Sequence, residues 1–306
     1  MEFKFAKSGD IERVVLIDGE EVLMAVAPQF GAKVTQLHLQ VADAYHSVLW
    51  PASDADLLAN DWYKQSILFP YPNRLRDGKY TFEGEEFQFP INEPATNNQL
   101  HGMVYNSSFE VVDTTASPSE ASLKLVHEYD GGLDYYPFPF RLSVTYTHTK
   151  SDFKVLFELE NTGNRTLPYG LGWHPYFQFN GESINNCTFI CDGLEQVVLA
   201  DRSLPNGERK LRDANDFVLA EHELDHAYQI KGANRSYTLA NGTIKLDFEV
   251  SEAMDYLQLF TPPGRAAVAV EPMTCNVNAF ENGEGLKILA AGDSVKEKVC
   301  LKLVGK

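Results

Sequence analysis

The feature that most limits what this chain can fold into is a two-residue alternation of apolar and polar side chains, repeated along most of its length. Ile244, Leu246, Phe248 and Val250 alternate with Lys245, Asp247, Glu249 and Ser251. Leu142, Val144 and Tyr146 alternate with Ser143, Thr145 and Thr147, and Val299, Leu301 and Leu303 flank Cys300 and Lys302. A period of two sends successive side chains to opposite faces, so each run predicts a strand with one dry and one wet side. Residues 12–17, 123–129, 153–160 and 256–260 predict further strands.

The links between these runs carry turn residues that tolerate left-handed backbone angles: Asp18-Gly19, Glu83-Gly84, residues 161–164, Asn241-Gly242 and Asn282-Gly283. Residues 149–152 join two alternating runs, and Glu83-Gly84 joins Tyr80-Thr81-Phe82 to Phe87-Gln88-Phe89. Antiparallel hairpins between sequence neighbours are therefore expected. Helical signal is sparse, strongest over 54–65, and short helices on loops are all that it predicts. No Pro, Gly or Ser-rich linker and no fixed-period repeat interrupts the chain, so residues 1–306 read as a single domain. With 44% hydrophobic and 12% aromatic residues there is ample material for a large core. The expected fold is all-β, an antiparallel β-sandwich with few short helices.

The formal charge of −17 is spread along the chain. Such a surface repels polyphosphate, whose binding depends on Lys and Arg, so neither nucleic acid nor an anionic membrane is an expected partner. Charges at Glu2, Lys4, Lys7, Asp10 and Glu12 leave no apolar signal segment at the start of the sequence, and a cytoplasmic location is expected. Four cysteines, Cys187, Cys191, Cys275 and Cys300, are few for this length and read as small buried hydrophobes.

Chemistry requires polar groups where folding alone would not put them. Five segments qualify: Pro72-Asn73-Arg74-Leu75, Asn98-Gln99-Leu100-His101-Gly102, Gly172-Trp173-His174-Pro175-Tyr176-Phe177, Leu224-Asp225-His226 and Val270-Glu271-Pro272-Met273-Thr274. Pro175 pushes His174 toward extended geometry, on a strand end or loop. Trp173, Tyr176 and Phe177 beside it suit the walls of a sugar pocket, while the imidazole offers a proton near neutral pH. A structural histidine satisfied by its neighbours is the competing account. Glu271 follows the apolar run 266–270 and reads as a carboxylate at the end of a buried strand, where desolvation would make it a better base, with Pro272 terminating the pairing. Pointing into water is its alternative. His101 precedes Gly102 in a polar loop, and glycine permits close approach of backbone and ligand. The fork of Arg74 suits hydroxyls or a phosphate, and equally a surface ion pair. No phosphate loop, dinucleotide fingerprint, nucleophile elbow or zinc helix is present.

In this order, from about residue 13 to residue 303, these segments resemble the galactose mutarotase (aldose 1-epimerase) family. The residues carrying the resemblance are Asn73-Arg74, Leu100-His101-Gly102, His174-Pro175-Tyr176-Phe177, Asp225-His226 and Glu271. The Glu271-Pro272-Met273-Thr274 form is similar to the bacterial branch. The resemblance implies a supersandwich of large antiparallel sheets with the sugar in a shallow groove. It implies that Glu271 takes the proton of the anomeric hydroxyl, that a charged His174 gives one to the ring oxygen, and that His101 hydrogen-bonds that oxygen. Arg74, Asp225, Asn73 and Tyr176 would bind and orient the sugar. It implies a monosaccharide substrate, possibly phosphorylated, no cofactor, no metal, and a monomer or homodimer. Two rivals stay open: a hexose-phosphate 1-epimerase drawing on Arg74, Arg76 and Lys79, and a carbohydrate-binding protein on the same fold without activity. A glycoside hydrolase needs two carboxylates at the scissile bond, and Asp225 is the one candidate partner for Glu271.

Overall fold

The computed structural model describes residues 1–211, 216–232 and 234–306. Alternating sequences become strands because each can bury one face, and here they do so in stacked antiparallel sheets. A nine-stranded sheet runs in the order Glu110–Ala116, Glu120–Tyr129, Phe140–Thr149, Asp152–Asn161, Ser294–Gly305, Ile244–Val250, Ser236–Ala240, Thr188–Ile190, Asp216–Val218. An eight-stranded sheet runs Pro205–Leu211, Leu194–Leu199, Asp225–Ile230, Tyr256–Phe260, Val268–Met273, Gly172–His174, Ser66–Leu68, with Tyr176–Phe177 also paired to Val268–Met273. The first 47 residues add a five-stranded meander.

The inward residues of these sheets share one apolar cluster. Leu142, Val144, Phe153, Val155, Leu246 and Leu301 come from the nine-stranded sheet, and Trp173, Phe177, Leu257, Leu259, Val268 and Val270 from the eight-stranded one. Phe153 meets Trp173 at 6.5 Å between ring centroids, and Phe177 meets Phe248 edge-on at 5.0 Å. Burying each such side chain stabilises by about 1.5–3 kcal/mol, so this seam is where most of the folding energy lies. The sheets form the β-sandwich that the alternation predicts.

Several expectations need correction. Hairpins do join sequence neighbours at 149–152, Glu83-Gly84 and Asn241-Gly242. The order is not sequential throughout, however, because the last strand, Ser294–Gly305, inserts between Asp152–Asn161 and Ile244–Val250. Asn282-Gly283 closes a short helix, Ala279–Asn282, with Gly283 left-handed, rather than a hairpin. The helix expected over 54–65 stops at Ala59, since Asn60 turns left-handed, as do Trp62, Tyr63 and Gln65. Glu271 lies inside its strand, not at the end, and Pro272 does not terminate pairing: Leu257 faces Pro272 and Tyr256 faces Met273. Proline is tolerated because pairing on the other side of that strand is interrupted around it, limited to Gly172 opposite Met273 and to Tyr176 and Phe177 opposite Ala269 and Val268. Among the described residues no helix is long and apolar enough to cross a membrane. All four cysteines are unbridged, and three of them are buried.

Candidate active site

The register of the eight-stranded sheet builds the site. Opposed residues in antiparallel strands point to one face, and positions two apart along a strand share it. Glu271 lies opposite Gln258, which lies opposite Ala227. Two residues along, the same face carries Ala269, Phe260 and Asp225, and Tyr176 lies opposite Ala269. Gly172 lies opposite Met273, so His174, two residues on, comes beside Glu271. Val268, Val270, Leu257 and Leu259 turn the other way, into the core. One sheet face thus presents the carboxylate, the imidazole and their polar neighbours together.

A small ribbon supplies the opposite wall. Arg74–Arg76 pairs with Asn98–Leu100, and Asn73 and His101 stand just beyond the paired residues, both left-handed at φ 59° and 68°. Each left-handed non-glycine residue is held at a cost of about 1 kcal/mol or more. Here they lock each other: the His101 amide donates to the Asn73 carbonyl at 2.9 Å, and the Asn73 amide donates to His101 Nδ1 at 3.1 Å. Gly102 must be glycine, because a Cβ there would strike the Phe69 carbonyl. With Nδ1 accepting, the proton of a neutral His101 ring sits on Nε2.

All seven residues singled out from the sequence, Glu271, His174, His101, Arg74, Asp225, Asn73 and Tyr176, line one cavity of about 350 Å³. That is large enough for a small ligand. Trp62, Tyr63, Leu100, Gln258 and Phe260 complete the lining. Gln258 escaped notice as the lone polar residue of an apolar run, although that oddity was the signal. It links the walls, accepting from Asn73 Nδ2 at 3.3 Å and donating to Asp225 at 2.8 Å. Trp62 and Tyr63 were concealed in a segment that reads as helix. Trp62 stacks on Phe260, and Tyr63 meets His101 edge-on at 4.6 Å.

His174 Nε2 stands 3.4 Å from Glu271 Oε1, and both side chains are almost fully buried. Glu271 Oε2 and His174 Nδ1 have no hydrogen-bond partner in the protein. Orphaned buried polar atoms are rare and ask for a ligand or a task. The contact is longer than a charge-assisted hydrogen bond, which leaves both groups able to address a substrate. Burial pushes the Glu271 carboxyl well above its usual range, helped by the Asp225 carboxylate and opposed by Arg74. Burial also pushes His174 down to about 3, with the Lys33 ammonium acting in the same direction. His101 is lowered too, by burial first and then by His174 and Arg74. The pair therefore favours its uncharged form, an imidazole beside a carboxylic acid, and not the charged His174 that the resemblance implies. Arg74 donates from Nε and Nη2 to both oxygens of Glu93 at 2.8–3.1 Å, so it enters the cavity as half of an ion pair. Among the described residues, no cluster of three or more His, Cys, Asp or Glu side chains is arranged to hold a metal ion.

Known proteins share both this sequence pattern and this architecture. The chain is 26% identical over 234 residues to the uncharacterized protein YihR of Escherichia coli K12, covering 74% of each. It is 29% identical over 182 residues to the galactose mutarotase of Mus musculus, a match spanning 58% of this chain and half of that one. The fold is that of a galactose mutarotase-like protein from Clostridium acetobutylicum, with a TM-score of 0.88 at 19% identity over 100% of this chain and 99% of the other. The galactose 1-epimerase of Lactobacillus acidophilus NCFM gives 0.78 at 15% identity over 99% of each. The aldose 1-epimerase family model matches residues 13–302, nearly the whole sequence and every segment of the cavity, and the chain belongs to that family.

Proposed function

We propose that this chain is an isomerase that interconverts the α and β anomers of an unphosphorylated aldohexose by opening and reclosing the sugar ring. The observation that carries this reading is the buried contact between Glu271 and His174, each with an unpartnered atom, in a cavity of monosaccharide size. The continuity of the main core cluster from Val14 to Leu303 supports treating residues 1–306 as one domain.

In the proposed step the pair, uncharged at rest, reacts through its less populated ion-pair form, in which the single proton has passed from Glu271 to His174. Glu271 takes the proton of the anomeric hydroxyl while His174 protonates the ring oxygen. The bond from the anomeric carbon to the ring oxygen breaks, and the carbonyl forms. Opening leaves Glu271 protonated and His174 neutral, the uncharged pair that a dry cavity favours. Rotation of the free aldehyde exposes its other face, and the reverse transfers close the ring as the opposite anomer. His101 donates from Nε2 to the ring oxygen, while Arg74, Asn73 and Asp225 hold hydroxyls and Tyr176 packs against the ring. Positioned proton transfers of this kind are worth about 10²–10⁴-fold each.

A specific observation favours a neutral sugar over a phosphorylated one. Arg74 is the one cation among the described residues lining the cavity, and Glu93 already neutralises it. Arg76 pairs with Glu281, and with Lys79 it lines a different cavity. Polarimetry of fresh α-glucose, α-galactose and glucose 6-phosphate tests the reading. The wild type is expected to accelerate mutarotation of a neutral sugar, and Glu271→Gln to lose that acceleration by about 10²–10⁴-fold. Retained activity in the variant, or turnover of the phosphate alone, would overturn it.

A further inference from the structure

We propose that Glu93, which stands behind Arg74 and outside the cavity lining, is a positioning residue that sets the substrate class: it fixes the Arg74 fork for sugar hydroxyls and cancels its charge, so that anionic sugars are excluded. The inference rests on the ring-opening reading above and deepens it. Arg74 donates from Nε to Oε1 and Oε2 of Glu93 at 3.1 and 2.9 Å, and from Nη2 to Oε1 at 2.8 Å. The two side chains are only 15% and 21% exposed, so water screens them little. A bidentate pair of this kind holds a planar fork in one orientation and leaves it a donor whose charge is balanced.

The carboxylate is itself clamped. Thr96 Oγ1 and Asn98 Nδ2 donate to Oε2, while the Glu93 and Asn98 amides each donate to the other's carbonyl, at 3.1 and 3.2 Å. Arg202 braces this turn, donating from Nε to the Thr96 carbonyl at 2.7 Å and from Nη2 to the Asn97 carbonyl at 2.6 Å, and the Arg202 carbonyl accepts from Asn98 Nδ2 at 2.9 Å. Burial alone would raise the Glu93 carboxyl, but the hydrogen bonds from Arg74, Thr96 and Asn98, with the Arg74 charge, outweigh it and hold the group below its usual range. Glu93 therefore stays ionised at neutral pH, and its compensation of Arg74 is built into the turn.

The consequence is electrostatic. Glu271 and His174 are uncharged at rest, which leaves the Arg74 cation and the Asp225 carboxylate in the lining. With Arg74 balanced by Glu93, Asp225 biases the cavity against a further carboxylate or a phosphate, and selectivity comes from that repulsion as much as from attraction to hydroxyls. Without the Glu93 charge, Arg74 would meet a ligand as a largely buried, unbalanced guanidinium, a group suited to anions. A monosaccharide fills a cavity of about 350 Å³, so an acid group at its exocyclic carbon feels both charges.

Proton NMR of anomer exchange tests this with galactose against galacturonate and glucose against glucuronate, pairs that differ only in a carboxylate at the exocyclic carbon, for the wild type, Glu93→Gln and Glu93→Asp. The wild type is expected to show kcat/KM at least about tenfold lower for each uronate than for its neutral sugar. In Glu93→Gln the ratio of uronate to neutral kcat/KM is expected to rise about tenfold or more, carried by KM, whereas Glu93→Asp, which keeps the charge, is expected to hold the ratio within about threefold of the wild type. A purely structural role for Glu93 cannot raise turnover of an anion. Equal wild-type kcat/KM for a sugar and its uronate would overturn the inference without any variant, as would a Glu93→Gln protein that loses both substrates equally, and in either case the ring-opening reading stands. Absence of wild-type turnover with every sugar would overturn both.

Discussion

The two large sheets use buried space in different ways. In the nine-stranded sheet the inward faces are mostly apolar, with His148 and Glu297 buried singly among core residues, and most charge stays outside, as in Arg141 between Glu128 and Glu160 or Glu158 between Lys124 and Lys296. In the eight-stranded sheet one face buries Glu271, His174 and Gln258, and leaves a carboxylate oxygen and an imidazole nitrogen without partners. Both sheets contribute to the shared core and both bear groups that burial disfavours, but in the second sheet these groups stand side by side and line one cavity. Function is placed where the fold tolerates unsatisfied chemistry, and the seam between the sheets supplies the energy that holds it there.

That contrast can be broken by substitution. Glu271→Gln should produce the largest effect, the rate loss given above, with a thermal midpoint no lower than the wild type, because a buried carboxyl is replaced by a neutral amide. A fall in the midpoint would show that Glu271 is structural. Leu142→Ala, in the core of the nine-stranded sheet, should do the reverse. It should destabilise by about 2–5 kcal/mol in denaturant unfolding while kcat per folded molecule is unchanged.

The pH dependence sharpens the comparison further. The active pair carries one proton. As pH falls through the lowered His174 value, about 3, a second proton binds and no base remains. As pH rises through the raised Glu271 value, the proton is lost and no acid remains. The plateau of kcat/KM should therefore extend to more acid pH than the limb near 4.3 that an unperturbed glutamate would set. An acid limb at 4.3 or above would show that the pair is solvated. The smallest effect belongs to the exposed pairs: Arg141→Ala should move the thermal midpoint by about 2 °C or less.

Much of this was legible before any coordinates. Alternation located five strands of the nine-stranded sheet, Glu120–Tyr129, Phe140–Thr149, Asp152–Asn161, Ile244–Val250 and Ser294–Gly305, because each has one wet face, and turn residues located the hairpins at 149–152 and Asn241-Gly242, whereas Glu110–Ala116, Ser236–Ala240, Thr188–Ile190 and Asp216–Val218 went unmarked. The place of Ser294–Gly305 between two strands distant in sequence was not legible, since pairing partners are chosen by long-range packing and leave no local mark. The apolar run before Glu271 signalled a buried strand but not its register, and only the register shows that Gln258 and Asp225 share the face of Glu271. Trp62 and Tyr63 were missed for a different reason. Their left-handed backbone is stabilised by rings they meet in three dimensions, Phe260, Tyr105 and His101, and not by any glycine in the sequence.

If Glu271 and His174 work as one proton-exchanging unit, their substitutions cannot be independent. The direct test is a double-mutant cycle on mutarotation kcat with Glu271→Gln, His174→Asn and the two combined. The account predicts that each single change removes most of the acceleration and that the double variant is within about tenfold of the worse single. Fully multiplicative losses, or a single variant with wild-type kcat, would contradict it.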